Sequence, residues 1–314
     1  MSKFVPKTTS ESKSIKPFIK WAGGKSQLLS QFTQFYPKEL GNGSITRYIE
    51  PFLGGGAVFL DICQRYQIGE ARLFDVNPEL ILVYKVVKHE PHALIELLLK
   101  FSEDYYTRAE SDRKQLFYDL RDAYNGQLPE INFDLFGESW VMRAAYMIFL
   151  NKTCFNGLYR VNSKGEFNVP FGKYKRPTIV DGCNLLQVSH LLQNAELYVG
   201  NFQASEPHIN DASFVYFDPP YRPLSATASF TSYSKHKFDD ADQAALAHFY
   251  AKLHRTTQAK LMLSNSNPKN TNPDDRFFDQ LYAPFHIHHV FANRMINSDA
   301  AGRGKISELL ITNY

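Results

Sequence analysis

Phe214-Val215-Tyr216-Phe217-Asp218-Pro219-Pro220-Tyr221 is the stretch that decides the fold class. Its first four residues form a short apolar run, aromatic and β-branched, and read as a buried strand. The run stops at a carboxylate followed by two prolines. Proline has a fixed φ and no N–H to donate, so the segment beyond the strand is stiff and extended, with carbonyls available as acceptors. Polar corners just past the end of a buried strand are where open α/β sheets place their ligands. Asp218 supplies an anionic acceptor and Tyr221 a flat face, a pair suited to a planar substrate bearing an amino group. Taken alone, the tetrapeptide reads equally well as a proline turn that closes a strand beside a solvated aspartate.

Upstream, strand and helix signals alternate from Arg47 onward. A strand at 48–50 runs into the loop Pro51-Phe52-Leu53-Gly54-Gly55-Gly56, a helix is expected over 57–66, and a second strand at 71–74 ends on Asp75-Val76-Asn77-Pro78. The next helix, 79–88, has Asn77 near its cap and Pro78 at its start. Strand, glycine loop, helix, strand and acid in that order make a nucleotide-type site. The glycines let the backbone turn tightly and lie close to a ligand, and Asp75 is placed to accept from ribose hydroxyls. A dinucleotide fingerprint would need glycine where Phe59 stands, so a nucleoside without phosphates fits better, S-adenosylmethionine foremost. Gly23-Gly24-Lys25-Ser26 imitates the tail of a P-loop, but Ile19 occupies the place of that motif's first glycine. Lys25 is suited instead to the carboxylate of a bound amino-acid moiety, and Trp21 to stacking, although a lone tryptophan is more often a core residue.

The middle of the chain changes character. Helical spacing is found at 93–100, 110–125 and 140–150, followed by a loop-like stretch at 151–176; short apolar strands return at 197–199, 214–217, 260–264, 286–290 and 309–312, with a helix over 239–255. The fold class expected is α/β, a Rossmann-like sheet interrupted by a mainly helical insert. The expected division is a discontinuous catalytic domain, 1–88 and 177–314, around an insert at 89–176. Net charge is only +3, but between Lys152 and Arg176 six basic residues face the single acid Glu166, with Phe155, Tyr159, Phe167, Phe171 and Tyr174 interleaved. A basic stretch laced with aromatics suits a phosphate backbone and its bases, whereas a solvated basic loop is the plain alternative. The three cysteines, Cys63, Cys154 and Cys183, form neither a disulfide framework nor a zinc pair, so no metal is expected. No apolar stretch approaches the length of a membrane span and residues 1–16 lack a secretory signal; a cytoplasmic protein is expected.

With these motifs in hand, the chain resembles the Dam-type adenine-specific DNA methyltransferases. The resemblance rests on Lys20-Trp21-Ala22-Gly23-Gly24-Lys25, Glu50 to Gly56, Asp75-Val76-Asn77 and Asp218 to Tyr221 in the order of the class whose cofactor motifs precede the catalytic one. Two longer stretches make it specific: Phe155 to Asn162 continuing through Gly165 to Gly172, and Pro223 to Ala228 with Phe230 to Tyr233. The resemblance implies S-adenosyl-L-methionine as methyl donor, duplex DNA as substrate, and the sheet of that methyltransferase fold. It implies cofactor contacts at Trp21, Lys25, Phe52, Gly54, Gly56, Asp75, Phe202 and Asp218, and a catalytic grip on an everted adenine by Asp218, Pro219, Pro220 and Tyr221. The insert corresponds to the DNA-recognition region, where Phe155, Asn156, Leu158, Arg160, Asn162 and Pro170, with Tyr233 outside the insert, are expected at the DNA. Phe155 stands where some members carry tyrosine. Asn201 stands where many carry an acid contacting the cofactor's adenine.

Adenine's exocyclic nitrogen is a poor nucleophile because its lone pair is delocalised into the ring. Acceptance of its two protons by the Asp218 side chain and the Pro219 carbonyl would redirect that lone pair. Cytosine-C5 methylation needs a nucleophilic cysteine, usually after proline, and none of the three follows one. Cytosine-N4 methylation typically has serine in place of Asp218. The recognition sequence expected is GATC, from the resemblance of 155–172. A companion restriction endonuclease is compatible with this reading, as is action as a monomer or weak dimer.

Overall fold

Strands β1 (Arg47–Glu50), β2 (Glu70–Asp75), β3 (Ala195–Val199), β4 (Ser213–Phe217), β5 (Lys260–Ser266), β6 (His286–Asn293) and β7 (Lys305–Thr312) form one sheet in a computed structural model that describes residues 14–222, 238–293 and 305–314. Its order is β3-β2-β1-β4-β5-β7-β6. The first five strands are parallel, and β7 pairs antiparallel to both β5 and β6. From β1 the chain builds outward through β2 and β3, then returns to add β4 and β5 on the other side. The order therefore reverses between β1 and β4, and the carboxyl ends of these two strands border the crevice where such sheets bind ligands.

Both faces of the sheet are covered, which is why β4 is buried at every position. Tyr48, Phe214 and Tyr216 belong to one core cluster; Ile49, Val215 and Phe217 belong to a second on the opposite face. The second core is closed by α9 (Asp240–Thr256), through Leu246, Phe249 and Tyr250, and by the short α10 (Phe277–Leu281). The first takes in the short helices α1 (Leu29–Phe32) and α2 (Lys38–Gly41), then α3 (Ala57–Arg65) and α4 (Pro78–His89). It runs on without a break through α5 (Pro91–Thr107), α6 (Glu110–Gly126), α7 (Glu138–Thr153) and α8 (Gly182–Leu192). Helix α4 starts as its sequence dictates, with the Asn77 side chain accepting from the Glu79 and Leu80 N–H groups and Pro78 in the first turn.

Beyond the short helices α1, α2 and α10 and a 3-10 turn at Phe202–His208, which the sequence reading does not place, two longer stretches differ from expectation. Helix α8 falls where the sequence reading places no element; Asp181 caps it by accepting from Asn184 N–H at 3.1 Å, and it buries Leu185, Val188 and Leu192. Residues 151–176 are more ordered than a loop: a 3-10 turn at Phe155–Gly157 is followed by a hairpin-like excursion, with bridges between Cys154 and Phe171 and between Val161 and Phe167.

One buried ion pair joins α7 to α4. Arg143 donates from Nε to Glu79 Oε2 at 2.8 Å and from Nη2 to Glu79 Oε1, and its Nη1 bonds the Tyr124 carbonyl at 2.9 Å. Its guanidinium also lies 4.2 Å from the Tyr124 ring centroid. Removing one partner of a buried pair strands the other charge, so Glu79→Ala is expected to cost about 3–5 kcal/mol in chemical denaturation. The double variant Glu79→Leu/Arg143→Met should recover most of that loss.

Candidate active site

Asp218 follows the last residue of β4, and its Oδ1 receives two bonds: Lys25 Nζ lies at 2.7 Å and Ser264 Oγ donates at 2.9 Å. Ser264, on β5, is bonded in turn to the Tyr216 hydroxyl at 2.8 Å. Lys25 is almost wholly buried, also donates to the Gly23 carbonyl, and holds its ammonium 4.5 Å from the centroid of the Tyr221 ring. Burial raises the Asp218 carboxyl above the usual aspartate range, while the Lys25 charge and the Ser264 hydrogen bond pull it back. The Tyr221 phenol is pushed well above its ordinary range by burial, with the Asp218 and Glu308 charges adding to the effect, so it is a neutral donor. It donates to Glu308 Oε2 at 2.5 Å. The stiff backbone of the motif is anchored from α9: Gln243 Nε2 donates to the Pro220 carbonyl at 2.9 Å, and Asn265 Nδ2 holds Gln243 at 3.0 Å. Arg222 completes the clamp with a fork onto Asp240 at 2.7 and 2.9 Å and a bond to Asp275 at 2.7 Å.

Across the crevice, Asp75 shapes the glycine loop. Its Oδ2 accepts the Gly54 N–H at 3.0 Å and its Oδ1 the Asn77 N–H at 2.9 Å. Each oxygen keeps a second lone pair for a ligand hydroxyl. The glycines answer to the protein's own packing as well. Gly54 and Gly56 have φ of +49° and +67°; a Cβ on Gly54 would lie 2.9 Å from Trp21 Cδ1, and one on Gly56 would lie 2.6 Å from the Tyr84 hydroxyl. That hydroxyl donates to the Gly54 carbonyl at 3.2 Å. Trp21 is thus wedged against the loop, and it stacks on Tyr159, just beyond the turn at Phe155–Gly157, with 5.4 Å between centroids.

These groups enclose a cavity of about 840 Å³ whose wall includes Trp21, Lys25, Phe52, Gly54, Gly56, Asp75 and the whole of Asp218 to Tyr221. The volume holds a nucleoside-sized donor with room beside it. Phe202 sits one layer back, buried and stacked on Phe52 at 5.9 Å. Asn201 spends its side-chain oxygen on the N–H groups of Gln203 and Ala204, capping the 3-10 turn Phe202–His208. Glu50, at the end of β1, also lines the cavity; burial raises its carboxyl well above the usual range, and Tyr48 donates to it at 2.8 Å.

The DNA candidates lie on the excursion after α7. Phe155 is 52% exposed, an unusual state for its type. Asn156 has a left-handed φ of 56° that turns the chain beneath it, and the Pro170 carbonyl accepts the Phe155 N–H at 2.8 Å. Leu158 is half-buried, while Arg160 is exposed with Nε donating to Asn168 Oδ1 at 2.7 Å. Asn162 is a turn organiser: its Oδ1 accepts from Lys164 and Glu166 N–H at 2.9 and 3.0 Å. Tyr233 falls outside the described residues, as does the stretch 223–237. One expectation needs correction. Tyr159, Phe167 and Phe171 are buried and anchor the excursion to the core, so the aromatics of this stretch are not a row offered to bases. Lys152 is also drawn inward, its ammonium brought down to about 8 by burial and by the neighbouring Lys20 charge.

Comparison with known proteins decides the family. The D12 class N6 adenine-specific DNA methyltransferases match this chain over residues 21–296. The chain belongs to that family. It is 49% identical over 301 residues to the type II methyltransferase M.MjaIII of Methanocaldococcus jannaschii, covering 96% of this chain and 99% of that protein. It is 37% identical over 303 residues to the type II methyltransferase M1.LlaDCHI of Lactococcus lactis, covering 96% of each. It is 33% identical over 296 residues to a DNA adenine methylase of Vibrio cholerae, covering 94% and 95%. This D12 enzyme is therefore an adenine-specific DNA methyltransferase, and its family implies S-adenosylmethionine as donor and DNA as substrate. Among the described residues no group of three or more His, Cys, Asp or Glu side chains is placed to hold a metal ion, and no helix is long and apolar enough to cross a membrane.

Sequence reasoning missed the supporting partners of the D12 corner, namely Ser264, Glu308, Gln243 and Asn265. All come from later elements: the pairing of β4 with β5 and of β5 with β7 brings Ser264, Asn265 and Glu308 to it, and the packing of α9 brings Gln243. Gly56→Ala would drive a methyl into the Tyr84 hydroxyl at a left-handed position, and is expected to cost about 1–3 kcal/mol in thermal unfolding. Tyr84→Phe in the same chain should return part of that loss.

Proposed function

We propose that this methyltransferase everts the adenine of GATC from duplex DNA and alkylates its N6 amine at the corner built by Asp218, Pro219, Pro220 and Tyr221. The observation that carries the proposal is the Asp218 cluster. A buried ammonium now lies at hydrogen-bond distance from the carboxylate and over the Tyr221 face, which is the position that an aminopurine held by the same two groups would occupy. Acceptance of the amine protons by Asp218 and the Pro219 carbonyl aims the nitrogen's lone pair out of the ring plane. Unpairing and unstacking the base costs a few kcal/mol, and stacking on Tyr221 offsets roughly 1–3 kcal/mol of it.

When bound, S-adenosylmethionine supplies an electrophilic methyl group. The residues present suit it. Lys25 carries the charge for its carboxylate, Trp21, Phe52, Gly54 and Gly56 form the wall, and Asp75 offers acceptors to its ribose, with Phe202 supporting Phe52 from behind. Residues 89–176 serve as the target-recognition insert on a discontinuous catalytic domain formed by 1–88 and 177–314. On the insert, exposed Phe155 is the wedge for the vacated stack. Arg160 contacts guanine, and Asn156, Leu158, Asn162 and Pro170 shape or read the remainder; Tyr233 belongs to this surface on the resemblance alone. The enzyme acts as a monomer or weak dimer on DNA in the cytoplasm. Its likeness to proteins named type II methyltransferases supports a companion endonuclease acting at the same site.

Labelled methyl groups should enter GATC-containing duplexes and not duplexes lacking that sequence; equal rates in both would refute the assigned site. Arg160→Ala is expected to relax discrimination at one base pair by about 1–3 kcal/mol, whereas a uniform loss across sequences would mark a phosphate contact. Asp218→Ala should abolish transfer with donor binding retained at least in part. Because transfer needs Asp218 ionised and burial raises its pKa, the single-turnover rate should fall on acidification through a midpoint above the ordinary aspartate range. In the free enzyme, where Lys25 holds Asp218, Lys25→Met removes a charge that lowers this pKa, and the Asp218 carboxyl should titrate at higher pH.

A further inference from the structure

Glu308 is a carboxylate on the inner part of the sheet that the reaction described so far does not use. On β7 it stands opposite Ser266 of β5, two residues before Leu310, which lies in the core on the same side as Tyr216. It is partly buried, and burial raises its carboxyl above the usual range. A half-buried carboxylate in a sheet is costly without a partner. Here the partner is the phenol of Tyr221, at 2.5 Å. The opposite consequence is seen on the ring: a buried ammonium, Lys25, already rests 4.5 Å from its centroid.

We infer that Glu308 is a positioning residue that pins the Tyr221 ring and, by drawing on its phenol proton, makes the ring face more attractive to positive charge. This rests on the proposed reading of the Asp218 corner. During transfer the lone pair of the adenine amine forms the new bond to the methyl carbon. The carbon–sulfur bond breaks with its electron pair going to sulfur. The positive charge passes from sulfur to the adenine until a proton leaves the amine towards Asp218. A ring stacked on that adenine therefore meets a base that becomes cationic only as the reaction proceeds. Attraction of an aromatic face for a desolvated cation strengthens in step with that charge, so it favours the transition state over the ground state. A carboxylate bonded to the phenol hydrogen adds electron density to the face and holds it at a fixed angle.

Single-turnover methylation of a GATC duplex tests the inference, with donor affinity measured by calorimetry and base stacking by the emission of 2-aminopurine at the target position. Glu308→Ala is expected to slow transfer about tenfold while donor affinity stays within about twofold, and to brighten 2-aminopurine because the ring is no longer held against it. Glu308→Gln keeps an acceptor for the phenol and should recover most of the rate. Tyr221→Phe should match Glu308→Ala, and the double variant should be no slower than either single one, since both remove the same contact. The inference is overturned by a wild-type rate in Glu308→Ala, by additive losses in the double variant, or by a loss of rate that only tracks lowered donor affinity and thermal stability. Asp218→Ala is run alongside. Substantial turnover in that variant sinks the reading of the corner together with this inference, whereas an inactive Asp218→Ala beside an unimpaired Glu308→Ala sinks the role of Glu308 alone.

Discussion

A carboxylate cannot be buried at the end of a parallel strand without compensation, and the ion pair between Lys25 and Asp218 supplies it. The pair does more than neutralise a charge. It fastens the segment that precedes the first strand to the tip of β4, and that segment also carries Trp21, which wedges against Gly54 and stacks on Tyr159. This contact, together with the mutual hydrogen bonds of Lys20 and Asn151, ties the Asp218 corner and the glycine loop to the start of the 151–176 excursion. The left-handed glycines and the Asp75 bonds to the backbone follow from the same arrangement, because the loop must pass close to Trp21 and Tyr84 to leave the cavity open.

Much of this was legible in the sequence. Strand ends that stop on Glu50, Asp75 and Asp218 mark the carboxyl edge of a parallel sheet, and the Asn77-Pro78 cap fixes the start of α4. Local chemistry of that kind survives folding because its partners are two or three residues away. Contacts across the sheet were not legible. Ser264 and Glu308 look like ordinary strand residues until β5 and β7 are laid beside β4, and Gln243 looks like one more polar residue on an amphipathic helix. Helix α8 escaped notice because it begins Gly-Cys-Asn, weak helix formers whose cost is met by the Asp181 cap and by burial of Leu185, Val188 and Leu192.

The excursion at 151–176 shows how one composition serves two ends. Its aromatics and cations suggest a nucleic-acid surface, yet Tyr159, Phe167 and Phe171 face inward and Lys152 is partly buried. The exposed groups include Phe155 on a turn made possible by Asn156, Arg160 with one edge of its guanidinium held by Asn168, and the cations Lys164, Lys173, Lys175 and Arg176. A rigid base with a few protruding groups suits a surface that must hold one register on a duplex, since side chains ordered in advance lose little entropy on contact.

The central claim is that Asp218, Pro219 and Tyr221 grip an adenine taken out of the helix. It is tested most directly by a crystal structure of the enzyme with a GATC duplex and a non-transferable analogue of S-adenosylmethionine. The account requires the adenine outside the stack, its amine within hydrogen-bond distance of Asp218 and the Pro219 carbonyl, its ring on Tyr221, and Lys25 displaced from Asp218. An adenine still paired in the duplex of a saturated complex, or one everted with its amine turned away from Asp218, would contradict it.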